Sequence, residues 1–380
     1  MIQLHPKPAL LGMLMLTASY LSGCAALSQA PTPALANAPA LRQDGFQGLY
    51  EVVGDFSAGS LFVASAPSFE PKTAGFIYRL DPRTLRPEQT VQLADKPFGL
   101  AMNHKTHTLY AGNAFDGALT EIDANTGLVK RTLALATPVR EEDGTLSMPH
   151  VRKLVVDEQH NLIFASSPGE SGKVWIVDGE RFALLHTLDT GMWTAGMAYD
   201  AQANVLYAGQ GGKDELLAID PVSGKVVQRF STGETPADDP KASKHFFINL
   251  SLDKPAGRLY ITDANSEQVF VFDLASKTFI KRLPTNGKGL LDVKALPLTH
   301  QFAVTYRGSR HGEHSGQGGV MVFDANTYAL VKHVPLPVHP NSLEASPDNK
   351  TLFVTVKAPV DEQHELWRTN GSDGVVRIDL

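Results

Sequence analysis

The chain has 380 residues, a formal net charge of −6 and a pI near 6.1. That charge excludes a global basic field drawing in phosphates, so any nucleic-acid site has to be a local patch. Its 43% hydrophobic content against 19% charge excludes extended disorder, its 32 glycines and 24 prolines favour short strands and turns, and its single cysteine excludes an intramolecular disulfide.

Residues 1–23 give a short n-region with Lys7, an apolar run from Ala9 to Leu16, and the ending Leu21-Ser-Gly that precedes Cys24. The run is too short to span a bilayer and has the anatomy of a signal peptide. Its ending resembles the bacterial lipobox, in which small residues admit the signal peptidase and the thiol is lipidated. The resemblance implies lipidation at Cys24. Because Ala25 rather than an aspartate follows, it also implies sorting to the periplasmic side of the outer membrane. Several acyl chains on one residue hold far better than one. Loss of residues 1–23, which carry one lysine and no acid, makes the chain one unit more negative. Residues 24–39, rich in Ala and Pro, read as a flexible tether.

Beyond the tether one phrase recurs: an apolar strand, a short loop, a second strand ending in Asp, a tight turn and a third strand. It stands as LYAGNAFDGALTEIDANTGLVKRTLAL (109–135), VLYAGQGGKDELLAIDPVSGKVVQRF (205–230) and RLYITDANSEQVFVFDLASKTFIKRL (258–283), with looser copies from Leu61, Leu162, Phe302 and Leu352. The strand-ending aspartates are Asp81, Asp123, Asp178, Asp220, Asp273, Asp324 and Asp379. Their spacing suits a four-stranded blade, and each carboxylate reads as a turn residue accepting a backbone N–H just downstream. A further strand precedes each copy, at 49–53, 99–102, 153–156, 196–199, 249–252, 293–296 and 342–345, and these are the innermost strands. The expectation is all-β: one seven-bladed β-propeller over 40–380. The seventh blade stops one strand short at Leu380, so the strand that closes the ring is expected from the N-terminus, around Ala40–Phe46.

The segments IYRLDPRTL (77–85), KPFGLAMN (96–103), KHFFINLSLD (244–253), HPNSLEAS (339–346) and VVRIDL (375–380) resemble the YncE-type secreted propellers of the YVTN-repeat group. The resemblance runs from about Gly45 to the C-terminus, and the lipobox is a departure from the family pattern. It implies a monomeric periplasmic binding protein without catalysis or cofactor, with single-stranded DNA as ligand.

In a propeller the loops from each outer strand to the next inner strand share a face with those joining second and third strands. Here that face carries the long loops, and length invested on one face marks the functional side. Aligning the inner strands puts Lys96, His150, Trp193, Phe246 and His339 at one equivalent position, with His245 one residue earlier. Such a ring can stack unpaired bases and contact phosphate; alternatively, each side chain plugs a blade junction. Arg307 and Arg310 lie in a glycine-rich loop with His311, Glu313 and His314, a weak candidate metal run with too few ligands for a rigid site. Trp367 and Arg368 offer a stacking-plus-charge contact. No GxSxG elbow, Walker loop or dinucleotide fingerprint is present. An alternative to strand binding is a scaffold docking an outer-membrane receptor or other envelope protein. A third reading is a metal-dependent lactonase using Glu51, Asn249 and Asp292, with Lys153 opposing the cation.

Overall fold

The structure, a computed structural model, describes residues 40–68, 70, 73–140, 144–310 and 312–380. The expected signal peptide (1–23), Cys24, the expected tether (24–39) and His311 lie outside the described residues.

Seven four-stranded antiparallel sheets follow one another in chain order, as the repeat predicts. Their sequences explain the arrangement. Second strands such as Thr108–Asn113 are buried at every position, whereas the outer strand Val129–Ala134 is exposed along nearly its whole length. A strand buried on both faces needs no polar alternation, which is why LYAGN or LFVAS reads as an unbroken small-and-apolar run. Blades pack face to face through these strands, with Trp175, Tyr110 and Tyr260 fully buried between them. Among the described residues the only helical segments are three single 3-10 turns.

The turn aspartates behave as their position suggests. Asp81 accepts from Arg83 N and Thr84 N, both at 2.8 Å, and Asp123, Asp178, Asp220, Asp273 and Asp324 repeat the pattern. Asp379, at the chain's end, instead bonds Thr351 and Arg377.

Closure comes from the N-terminus. Ala40–Phe46 pairs antiparallel with Asp373–Asp379, completing a blade with Thr351–Val356 and Pro340–Ala345. Phe46 is 4% exposed, and the carboxylate of Asp373 accepts from Leu49 N at 2.7 Å, tying the start of blade one to the end of blade seven. The first described residue, Ala40, lies at the short-turn end of its strand.

Two features of the inner strands shape the channel. In six of the seven, the register slips at the same point, between Leu49 and Val52 in blade one and between Phe247 and Asn249 in blade five. A bulge re-aims the side chains beside it. Inner strands also approach closely at glycines: a Cβ on Gly99 would lie 2.1 Å from Arg152 O, and one on Gly196 would lie 2.4 Å from Asn249 Cα. The channel is thus narrow, and its mouth is built from residues at and just before the bulges.

Candidate functional site at the long-loop mouth

The channel has two unlike halves. Toward the short turns it is a cavity of about 320 Å³ lined by the inner strands of all seven blades. Glu51, Lys153 and Asp292 meet there, as the alignment suggests. Glu51 is ion-paired with Lys153, and Asp292 accepts from Val293 N at 3.0 Å and Leu343 N at 2.8 Å. Asn249 donates to Leu291 O at 3.0 Å. These polar groups are therefore occupied with one another and with the backbone.

At the long-loop mouth the balance is reversed. Arg152, Arg307 and Lys357, all half-buried, converge there, and none makes an ion pair with a carboxylate among the described residues. Arg152 has only long contacts, to Ile248 O at 3.4 Å and Asn249 Oδ1 at 3.5 Å. The Nε of Arg307 is buried without a partner. Burial, then the charge of Arg152, holds the Arg307 guanidinium below its ordinary range. Burial brings Lys357 down to about 8 against the pull of Asp373, with Arg307 adding to the drop. Like charges gathered in a low-dielectric mouth make a strong anion attractor.

Aromatic rings surround these cations. The Lys357 ammonium sits 3.4 Å from the centroid of the Tyr50 ring, and Tyr50 stacks on Phe98. The line continues edge-on through Phe115 to His150, at 5.9 and 4.9 Å. Across the mouth, Trp193 and Phe246 lie 5.9 Å apart. A cleft of about 560 Å³ runs from Phe246 past Ile248 and Leu291 to Arg307.

Of the aligned ring, then, the structure brings His150, Trp193, Phe246 and His339 to the mouth. Lys96 is 5% exposed and packed at a blade junction. His245, 3% exposed, bonds Asp263 Oδ2 at 2.7 Å and anchors the loop before Phe246. Arg310 is paired with Glu267. Arg368 donates to the carbonyls of Trp367 and Glu365 in its own loop, and Trp367 is half-buried. Glu313 bonds Lys288 and His314 bonds Asp361, so these two engage different partners.

Arg152, Lys357, Tyr50 and Phe98 escaped the sequence reading, although the repeat carries a signal for one of them. Arg307 and Lys357 follow the second strand at the position where the other blades have Ala66, Ala114, Pro168, Gly211 and Ala264. Two long cations against five small residues mark an exception to the repeat.

Backbone strain marks the same place. At the aligned position Gly48 and Gly289 have φ of 63° and 65°, and Trp193 and His339 share that left-handed conformation at 53° and 61°. A bulky residue pays about 1–2 kcal/mol there. Trp193→Gly is therefore expected to melt within a few degrees of wild type, because relieved strain offsets lost ring contacts. Calorimetry on the purified variant checks this; a drop as large as a core truncation would show that the ring is structural.

No family model matches the chain. The YncE protein of Salmonella typhi is 36% identical over 341 residues, covering 90% of both chains, and that of Escherichia coli K12 is 34% identical over 344 residues, again covering 90% of both. Among solved structures, the WD40 repeats of RRP9 superpose with a TM-score of 0.65 at 14% identity, covering 90% of this chain and 99% of that one. U3-55K also gives 0.65, at 12% identity, over 89% and 98%. The WD40 likeness carries the fold alone. With its seven sheets, its closing strand and more than a third of its residues shared over nine-tenths of its length, the chain belongs to the YncE family of seven-bladed β-propellers.

Proposed function

We propose that the protein is a non-catalytic binding protein that takes an anionic polymer across its long-loop mouth, with single-stranded DNA as the leading ligand. One observation carries this reading: Arg152, Arg307 and Lys357 are gathered beside the Tyr50–Phe98 and Trp193–Phe246 rings with no carboxylate in ion-pair contact among the described residues, Glu51 and Asp292 acting on Arg152 and Asp373 on Lys357 only from farther off. Phosphates supply the missing charge, and unpaired bases supply faces for the rings. The chain's acidity opposes long-range attraction but is screened beyond about 8–10 Å at ordinary salt, so the local patch decides.

The non-catalytic part of the reading is supported by the channel carboxylates. Glu51 and Asp292 are already engaged by Lys153 and backbone N–H groups. For location, the lipobox-like ending supports an anchor at Cys24.

Fluorescence anisotropy with a labelled thirty-nucleotide single strand at low salt tests the proposal. Wild type is expected to bind, and Arg307→Met to bind about tenfold more weakly. A wild type without affinity for the strand sinks it.

A further inference from the structure

Of the three mouth cations, Lys357 is the one whose chemistry extends to forming a covalent bond. Its backbone is pinned on both sides: Lys357 N donates to His339 O at 3.0 Å, and Ala358 N donates to Asp373 Oδ1 at 2.8 Å. The ammonium rests 3.4 Å from the centroid of the Tyr50 ring, and Thr355 Oγ1 fixes that residue by donating to Tyr50 O at 2.7 Å. The side chain is thus held at one spot in the mouth.

Nothing neutralises its nitrogen at contact. Lys357 Nζ makes no hydrogen bond or ion pair among the described residues, and it keeps open surface toward the mouth. The groups that face it are Asp373, Arg307, His339 and Tyr50. Asp373 is the acid among them, and both its oxygens are taken, by Leu49 N at 2.7 Å and by Ala358 N. Burial keeps the Tyr50 phenol protonated far above neutral pH, and His339, brought down to about 4 chiefly by burial, is a neutral imidazole. Neither supplies a counter-charge. Burial and the like charge of Arg307 therefore free the amine near pH 8 rather than above 10. A lysine desolvated beside another cation is an activated nucleophile.

The same neighbours offer a handle for a substrate. The terminal nitrogens of Arg307, unlike its sealed Nε, are open and unbonded, and Arg152 stands close enough for its charge to act on Arg307. Two guanidiniums match the charge and planar geometry of a phosphate monoester.

We infer that Lys357 is a covalent capture site for a small aldehyde carrying a phosphate monoester, with the phosphate against Arg307 and Arg152 and the carbonyl carbon at Lys357 Nζ. Lys357 first gives its extra proton to water. The lone pair of the amine then attacks the carbonyl carbon. Both remaining N–H protons leave with the carbonyl oxygen as water, and a C=N bond replaces C=O with no change of oxidation state. The site goes beyond the strand reading: it uses the same cations and requires no strand.

The test treats the folded protein with limiting pyridoxal 5′-phosphate or with pyridoxal, which lacks the phosphate. Borohydride fixes the imine and peptide mapping locates it. Selectivity is label at Lys357 over label at the exposed Lys105 and Lys225. At pH 8 about half of Lys357 is free amine, against less than about 1% of an ordinary lysine, so the phosphate reagent should favour Lys357 at least about tenfold. Its labelling should rise with pH to a midpoint near 8. Pyridoxal should be about tenfold less selective, and Arg307→Met should bring the phosphate reagent down to pyridoxal's selectivity, as expected for lost hydrogen bonds to a charged group.

Label spread evenly over the lysines, or equal selectivity with both reagents, overturns the site. Should Arg307→Met fail to fold, the wild-type comparison of the two reagents decides. A parallel strand titration separates the two proposals. Capture at Lys357 without strand binding retires only the strand reading, and strand binding without capture retires only the covalent site.

Discussion

Deleting residues 24–47 is expected to lower the melting temperature by about 10 °C or more, whereas deleting 24–36 is expected to leave it nearly unchanged. The shorter deletion removes only residues that precede the closing strand. The longer one removes Ala40–Phe46, and with it the whole ladder to Asp373–Asp379. It also uncovers the pocket of Phe46, a ring 4% exposed among Leu49, Val375 and Tyr78. Losing a buried phenylalanine alone costs about 3–5 kcal/mol, each kcal/mol moves the melting point of a domain this size by about 1–2 °C, and the lost ladder to Asp373–Asp379 adds the rest of the drop. An unpaired Asp373–Asp379 strand would in addition present an open edge, so the longer deletion is expected to aggregate on heating. Calorimetry and light scattering on both proteins check this. Equal melting temperatures would mean that the ring does not depend on its N-terminal strand.

Substitutions at the mouth are expected to separate into two classes. Each phosphate neutralised on a single strand contributes about 0.7 to the slope of log affinity against log salt. Lys357→Met, Arg307→Met and Arg152→Met should therefore each flatten that slope by about 0.7. Trp193→Gly and Phe246→Ala should weaken binding without changing the slope, by about tenfold each, since a stacked base is worth about 1–3 kcal/mol. Lys96→Ala, a change at a buried junction, should leave the slope alone. Acidity enters through Lys357. With its pKa near 8, it loses its charge as pH rises from 7 to 9, so affinity should fall over that interval in wild type and stay flat in Lys357→Met. A uniform loss of affinity across all these variants, with one common slope, would show that the mouth is merely destabilised.

The blades were legible because they repeat. The strand-ending aspartates, the apolar second strands and the inner strands recur in one order at spacings of 42 to 55 residues, and counting strands in the last repeat leaves one place for Ala40–Phe46. The mouth was only partly legible, because alignment fixes where a residue stands and not which way its side chain turns. Lys96 and Trp193 share one aligned position, yet Lys96 packs into a junction while Trp193, in a left-handed conformation, is 40% exposed. Lys357 was readable in principle, as a long cation where other blades carry Ala, Pro or Gly. The unpaired Nε of Arg307 was not, since a missing partner is a property of the packed loops rather than of any motif.

Photo-crosslinking a thymine-rich thirty-nucleotide strand to the wild-type protein, with mapping of the attached peptides, tests the central claim most directly. Attachment should fall on the mouth rings, at Tyr50, Phe98, Trp193 and Phe246, and should disappear with added salt as the phosphate contacts weaken. Attachment confined to the short turns around Asp81, Asp123 and Asp220, or none at low salt, would contradict the assignment of the long-loop mouth as the binding face.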